Sequence, residues 1–202
     1  MRTTSRTSNR ESAEPIAWSV GTSSVGRVLV AVDSGQALVG LRFLAEGSET
    51  SELESALEEL RSRFSAIEER PRLCAKSVAA VREFVTGKSK VVDLPVAVRG
   101  TPFQESVWKV VRRIPYGKTL TYRELAVRIG RPTAWRAVAR ANATNPVALV
   151  VPCHRVIGSD GKATGYTGGV AIKQALLELE ASVVSAGVRT ATTPAKSHSA
   201  RA

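Results

Sequence analysis

The sequence predicts an α/β domain at residues 15–96, followed by a mostly α-helical domain at residues 97–182. Three β-branched runs separated by Gly and Ser predict an antiparallel meander in the first domain. In the second domain, capping signals precede apolar residues at helical spacing, which predicts a series of short helices. The flanking segments 1–14 and 183–202 are rich in Ser, Thr, Ala and Arg and lack periodicity, so we expect disordered tails there.

The first domain begins with the meander, whose runs are IAWSVG, GRVLVAVD and ALVGLRFLA. Ser51-x-x-Glu54 then has the pattern of a capping box and predicts a helix through SELESALEELRSRFSAI. Its apolar residues recur at helical spacing, at Leu53, Leu57, Leu60 and Phe64.

A second helix near residues 74–86 and a strand at VVDLPVAV (residues 91–98) complete the predicted first domain. Nothing in this domain resembles a catalytic constellation. Cys74 stands alone there, and we expect a structural role for it because cysteine is often buried as a small apolar residue.

The second domain begins at Thr101-Pro-Phe-Gln104, which combines an N-cap, a proline at the first helical position and a capping-box glutamine. Thr121-Tyr-Arg-Glu124 is a second capping box and predicts a short helix that ends at Gly130. A third helix is predicted from Arg131-Pro132 to Asn145-Pro146. The last two helices, joined by a tight glycine turn, predict a helix-turn-helix with Arg136 and Arg140 on one face.

The stretch VVPCHRVIG (residues 150–158) places Cys153 beside His154 and Arg155. The preceding residues 149–151 are predicted to be a buried strand, which Pro152 ends because it lacks an N–H group. A thiol at this position, next to an imidazole and a guanidinium, is expected to have a lowered pKa and to react as a thiolate. The alternative from these residues alone is that Cys153 is a small core residue.

Charge and composition limit the classes of function. The net charge of +11 is concentrated at residues 97–180, which carry thirteen Lys or Arg and five Asp or Glu, and this asymmetry predicts a nucleic-acid partner.

No apolar run is long enough for a membrane span, and no apolar signal segment is found at the N-terminus. Two scattered cysteines and two histidines predict neither a disulfide framework nor a zinc site. A reducing, cytoplasmic location is expected.

A series of motifs resembles the O6-alkylguanine-DNA alkyltransferases, also called methylated-DNA–protein-cysteine methyltransferases. The series reads RGTPFQ, IPYGKT, TYRELA, RAVARAN, NPVALVVPCHRVIG, GYTGG and KQALLELE. It is most similar to bacterial members and to the carboxy-terminal half of the Ada adaptive-response protein. The resemblance covers residues 15–182 and is strongest at residues 99–180. PCHRV followed by GYTGG is a specific pairing.

The resemblance implies a ribonuclease H-like first domain, a winged-helix-like second domain and a suicide reaction with DNA. The protein would flip O6-alkylguanine out of double-stranded DNA and transfer the alkyl group irreversibly, once per molecule, to Cys153. By resemblance, His154 takes the thiol proton through a water molecule and Glu180 orients His154. No cofactor and no metal are implied. The protein is expected to be a monomer that could cluster on DNA. It would be located in the cytoplasm and would associate with the nucleoid when it is bound to DNA.

The resemblance also implies roles for residues around the base. Catalytic support is expected from Tyr122, near N3 of the base, and from Lys173, which would stabilise developing negative charge. Pocket-forming roles are implied for Asn145, Tyr166 and Thr167.

DNA-binding roles are implied on the third predicted helix of this domain, which would enter the minor groove. Arg136 would intercalate in place of the flipped base, and Ala137, Arg140 and Tyr122 would lie close to the DNA. Trp135 is larger than the small side chain that the resemblance leads us to expect, so its role is open.

Two other functions remain at this point. One is a damage-binding module without transfer, like the alkyltransferase-like proteins that lack the acceptor cysteine. The other is a Cys–His hydrolase, for which a neighbouring helix-turn-helix has no evident purpose.

Overall fold

The computed structural model describes residues 14–191 and consists of a mixed sheet with two helices, followed by a mostly helical part. The strands are β1 (Ile16–Ser23), β2 (Gly26–Val32), β3 (Leu38–Leu44), β4 (Ile67–Glu69), β5 (Leu120–Thr121) and β6 (Val156–Ile157). The helices are α1 (Glu49–Arg63), α2 (Pro71–Val85), α3 (Pro102–Val111), α4 (Tyr122–Arg128), α5 (Trp135–Ala143) and α6 (Val170–Ala191).

The first sheet has the order β3-β2-β1-β4. The antiparallel meander β1-β2-β3 is confirmed, and β4 adds a parallel pairing with β1 that the sequence did not predict. Helix α2 packs on β1 and β2, where Cys74 is fully buried and its Sγ lies 3.6 Å from the carbonyl oxygen of Ala17.

Two details predicted for the first domain are wrong. Helix α1 begins at Glu49, directly after the turn at Gly47, so Ser51 lies inside the helix and its hydroxyl donates to the carbonyl of Ser48. Residues 91–98 form no strand: only Val96 bridges to Leu38, because Pro95 has no N–H group with which to extend a ladder.

The two predicted domains share one hydrophobic core. A single cluster of buried residues includes Val30 and Phe43 of the sheet together with Val107 and Leu125 of the helical part. The backbone also connects them, because Leu41 of β3 donates to the carbonyl of Pro146 at 2.8 Å and accepts from Ala148 at 2.9 Å.

Local capping signals set the start of the helices in the second part. Thr101 and Thr121 each accept a hydrogen bond from the residue three positions later, and both capping boxes are complete. Helix α4 ends before Gly130, whose φ of 72° lies in the left-handed region. Helices α4 and α5 are joined by a turn, in the predicted helix-turn-helix order.

Three features of the second part differ from the predictions. Helix α5 begins at Trp135, because residues 131–134 form a turn in which Ala134 donates to the carbonyl of Arg131. Residues 149–151 are a turn and not a strand, with φ of 68° at Leu149. Helix α6 continues to Ala191, into the segment predicted to be a disordered tail. Residues 192–202 and the predicted tail at 1–14, except Glu14, lie outside the described residues.

No helix in the part of the chain that the structure describes has the length and apolar character needed to cross a membrane.

Candidate active site

Cys153 begins a single 3₁₀ turn, Cys153–Arg155, that follows Pro152. The amide of Cys153 donates to the carbonyl of Val151 at 2.7 Å, and its own carbonyl accepts from the side chain of Asn142 at 3.2 Å. Asn145 braces the preceding turn at two points: its Oδ1 accepts from the amide of Val147 and its Nδ2 donates to the carbonyl of Val151. The thiol is therefore held on a short segment tied to helix α5 and its C-terminal end.

The prediction of a lowered thiol pKa is wrong. Cys153 is buried, and this burial raises the pKa of the thiol, although Asn145 and the Lys173 ammonium act in the opposite direction. Arg155, which was expected to favour the thiolate, points to Glu180 instead. A thiol in this position is protonated at neutral pH, so it needs a base that removes its proton when it reacts.

His154 is a neutral imidazole with one nitrogen committed to a carboxylate. It is fully buried, and burial lowers the pKa of the ring even though Glu180 acts to raise it. Nε2 lies 2.9 Å from Oε1 of Glu180. Because an ionised carboxylate only accepts hydrogen bonds, Nε2 carries the proton and Nδ1 has the free lone pair. Among the described residues, none forms a hydrogen bond with Nδ1.

Glu180, on α6, is the centre of a buried network. Its carboxylate accepts from Nε of Arg155 at 3.0 Å, from Nη2 of Arg155 at 2.8 Å and from the amide of Gly117 at 2.7 Å, besides contacting His154. Burial alone would raise the pKa of this carboxyl, but the hydrogen bonds from His154 and Arg155 hold it below its ordinary value. The residue is thus a carboxylate that fixes the tautomer and orientation of His154.

Asn142 is a site residue that the sequence did not predict, and Arg155 has a different role from the predicted one. The Nη1 of Arg155 donates to the carbonyl of Ile114 at 2.7 Å, so its guanidinium joins Glu180 to the end of α3. Arg155 and Glu180 are 25 residues apart, and no local signal connects them. For Asn142, its place on the buried face of α5, one turn before Pro146, was the available signal.

Lys173 is a buried ammonium beside the thiol. Its Nζ donates to the carbonyls of Val156 at 2.6 Å and Thr164 at 2.7 Å, and lies 5.8 Å from the ring centre of Tyr122. Burial lowers the pKa of Lys173 to about 8, while Cys153 acts to raise it. The group is still mostly charged at pH 7, so it can stabilise negative charge that develops nearby.

A cavity of about 510 Å³ opens between α5 and the loop at residues 158–165. Its lining residues are Tyr122, Arg123, Trp135, Ala139, Arg140, Ala143, Gly158, Ser159, Thr164 and Gly165. The volume is within the usual range for small-molecule sites.

The predicted pocket residues lie around this region. The hydroxyl of Tyr122 donates to the carbonyl of Thr164 at 3.3 Å, and that of Thr167 to the carbonyl of Ala143 at 3.0 Å. The hydroxyl of Tyr166 is buried without a hydrogen-bond partner among the described residues. Burial and the nearby Cys153 raise the pKa of both tyrosines, so both remain hydroxyl donors at neutral pH.

The residues predicted to bind DNA lie on the exposed side of α5. Arg136, Ala137 and Arg140 are all exposed, and Arg140 also lines the cavity. The exposed side of α5 thus carries two cations, Arg136 and Arg140, and Lys173 reaches the cavity wall by donating to the carbonyl of Thr164. The Cys153–His154–Glu180 arrangement can deprotonate a buried thiol.

Comparisons with known proteins give a consistent result. Residues 102–182 match the family described as the DNA-binding domain of 6-O-methylguanine DNA methyltransferase. The chain is similar to a methylated-DNA–protein-cysteine methyltransferase of Methanosarcina barkeri, with 51% identity over 112 residues, 55% of this chain and 71% of the relative. A protein of the same name from Mycobacterium tuberculosis is 49% identical over 112 residues, 55% of this chain and 68% of the relative.

Solved structures extend the similarity to most of the chain. O6-methylguanine methyltransferase of Mycobacterium tuberculosis has a TM-score of 0.67 and 39% identity, covering 83% of this chain and 93% of that one. The OGT of the same organism in complex with DNA has a TM-score of 0.69 and 38% identity, covering 83% and 94%.

Proposed function

This chain belongs to the methylated-DNA–protein-cysteine methyltransferase family, and we propose that its acceptor is Cys153. The protein repairs DNA by moving the alkyl group from O6 of guanine to its own cysteine. The observation that carries the assignment is the buried pair of His154 and Glu180, at 2.9 Å, directly after Cys153 in the chain. A structural cysteine would not require a neutral, oriented imidazole at this place, and a Cys–His hydrolase, which would require one, leaves the neighbouring helix-turn-helix without a purpose.

Proton transfer starts the reaction. The thiol proton of Cys153 passes through a water molecule to Nδ1 of His154, while Nε2 stays bonded to Glu180. The imidazolium that forms is stabilised by the carboxylate, as in other nucleophile–histidine–acid systems. Because the thiolate forms only in a buried site, it is poorly solvated and strongly nucleophilic.

Alkyl transfer is then a single displacement at carbon. A bond forms between Sγ of Cys153 and the alkyl carbon as the bond from that carbon to O6 breaks, and its electron pair goes to the purine. The hydroxyl of Tyr122 donates to N3 of the base, and the charged Lys173 stabilises the negative charge. The thioether has no route back to a thiol, so each molecule reacts once.

DNA binding and base flipping precede the chemistry. Helix α5 would enter the minor groove, with Arg136 in the space left by the flipped nucleotide and with Ala137 and Arg140 close to the backbone. The flipped base would occupy the cavity beside Tyr122, with Tyr166 and Thr167 close to its edge and the turn that Asn145 braces near the thiol.

The finer description of the fold and setting is also proposed. The similarity supports a ribonuclease H-like first domain and a winged-helix-like second domain, with the division near residue 97. We also propose a cytoplasmic monomer; its basic second half would allow several molecules to bind along DNA, since phosphate contacts are largely independent of sequence.

Mass spectrometry tests this function directly. After incubation with duplex DNA that contains O6-methylguanine, the peptide with Cys153 should gain the mass of one methylene group, in a yield of one per protein molecule. A damage-binding module would leave the peptide unchanged. A hydrolase would consume many equivalents of substrate with no lasting gain in mass.

A further inference from the structure

We propose that Trp135 is a positioning residue that holds the guanidinium of Arg136 ready to enter the duplex. This inference rests on the proposed function and extends it to a residue whose size is unexpected at this point of the helix. Trp135 is the first residue of α5, and Cζ of Arg136 lies 4.4 Å from the centre of its ring. This distance is well within the reach of a cation–π interaction.

The indole is fixed, whereas Arg136 is not. Trp135 is half-buried and packs against the hydrophobic core, so its ring has a defined place. Arg136 is exposed, and it forms no salt bridge with any residue that the structure describes. Stacking on the ring therefore limits the many rotamers of a free arginine, and a side chain restrained before binding loses less entropy when it inserts.

A second arginine contacts the same ring. Cζ of Arg123, on α4, lies 5.5 Å from the ring centre of Trp135. Arg123 also is exposed and forms no salt bridge among the described residues. Two cations on one indole raise the local positive potential, which favours the approach of phosphates to this point of the surface.

Trp135 also connects the arginine to the cavity. The indole lines the cavity beside Tyr122, while Arg136 rests on it from the exposed side. Arg136, which would replace the flipped base between its neighbours in the duplex, is thus held next to the cavity that would receive that base. An arginine in this place moves only a short way when the nucleotide leaves the duplex.

The test compares transfer rates from duplex DNA and from free O6-methylguanine or O6-benzylguanine base, under single-turnover conditions. With the duplex at saturating concentration, a weaker DNA affinity does not change the ratio of the two rates, and partial unfolding or a damaged thiol changes both rates by the same factor, so the ratio reports flipping. Trp135→Ala and Trp135→Leu should lower this ratio about two- to fivefold, the effect of losing an exposed cation–π contact. Trp135→Phe should stay within about twofold of the wild type, because phenylalanine retains an aromatic face.

A double variant shows whether Trp135 acts through Arg136. In an Arg136→Ala background, Trp135→Ala should lower the ratio no further, since the group that it positions is gone. Losses that multiply would mean that the indole contacts DNA itself, and a wild-type ratio in Trp135→Leu would mean that the ring only fills space; either result overturns the proposal. Absence of transfer by the wild-type protein would instead refute the proposed function, on which this inference depends.

Discussion

Replacing Arg155 with methionine is expected to destabilise the protein strongly, because this side chain neutralises the buried carboxylate of Glu180. Methionine has a similar length and no donor group. The change removes three hydrogen bonds at 2.8–3.0 Å from Arg155 to the carboxylate and the 2.7 Å bond to the carbonyl of Ile114. Among the described residues, His154 and the amide of Gly117 then remain as the hydrogen-bond partners of Glu180.

The burial of both groups sets the size of the effect. Glu180 is 1% exposed and Arg155 is 7% exposed, so water cannot replace the lost donors. Removing one partner of a buried ion pair costs about 3–5 kcal/mol of unfolding free energy. Removing both charges in Arg155→Met/Glu180→Leu should cost much less than the sum of the single changes, since no unpaired charge is left inside.

Urea unfolding at pH 7.5, followed by circular dichroism, measures these free energies. Arg72→Met is the matched control, because Arg72 is an exposed arginine of α2, and it should change the unfolding free energy by no more than about 0.5 kcal/mol. A loss below about 1 kcal/mol for Arg155→Met, or strictly additive losses in the double variant, would refute the reasoning.

Three further changes test the site. Cys153→Ser should abolish transfer and leave duplex affinity, measured by fluorescence anisotropy, within about twofold, because phosphate contacts supply most of the binding; methylated serine would contradict this. The pKa of His154 is lowered and that of Cys153 raised, so the base is available and the thiol protonated from pH 6.5 to 8. The wild-type rate should therefore vary less than about twofold from pH 6.5 to 7.5, where Lys173, with a pKa of about 8, keeps most of its charge, whereas the rate of His154→Phe should rise about tenfold per pH unit with the thiolate fraction. A flat profile in that variant would exclude His154 as the base. Arg136→Ala should slow repair of duplex DNA at least about tenfold and slow the reaction with free base much less; equal losses would argue against intercalation.

Interactions within a few residues of the chain could be predicted from the sequence. The capping boxes at Thr101 and Thr121 each join residues three positions apart, so they form wherever the segment is placed. The meander β1-β2-β3 is likewise predicted by β-branched apolar runs separated by short segments with Gly and Ser. The adjacency of Cys153 and His154, within motifs that resemble one family, was enough to indicate both the acceptor and the reaction.

Contacts between distant residues depended on the tertiary structure. The short strand β4 pairs with β1 across more than forty residues of chain, and no pattern in IEE predicts that pairing. The apolar run at 149–151 was predicted as a strand, but Asn145 bonds to Val147 before the run and to Val151 at its end, and holds the segment as a turn. An apolar run signals burial and does not by itself distinguish a strand from a buried turn.

The ionisation of the site was also decided by the tertiary structure. Arg155 is adjacent to His154 and two residues from Cys153, so the sequence suggested that it lowers the thiol pKa. In the fold, the guanidinium of Arg155 donates hydrogen bonds to the carboxylate of Glu180 on α6. Burial in the core raises the pKa of the Cys153 thiol instead of lowering it. Desolvation depends on every atom packed around a group, and those atoms come from segments far apart in the chain. The sequence alone therefore predicted the nucleophile, and only the fold indicated which group would remove its proton.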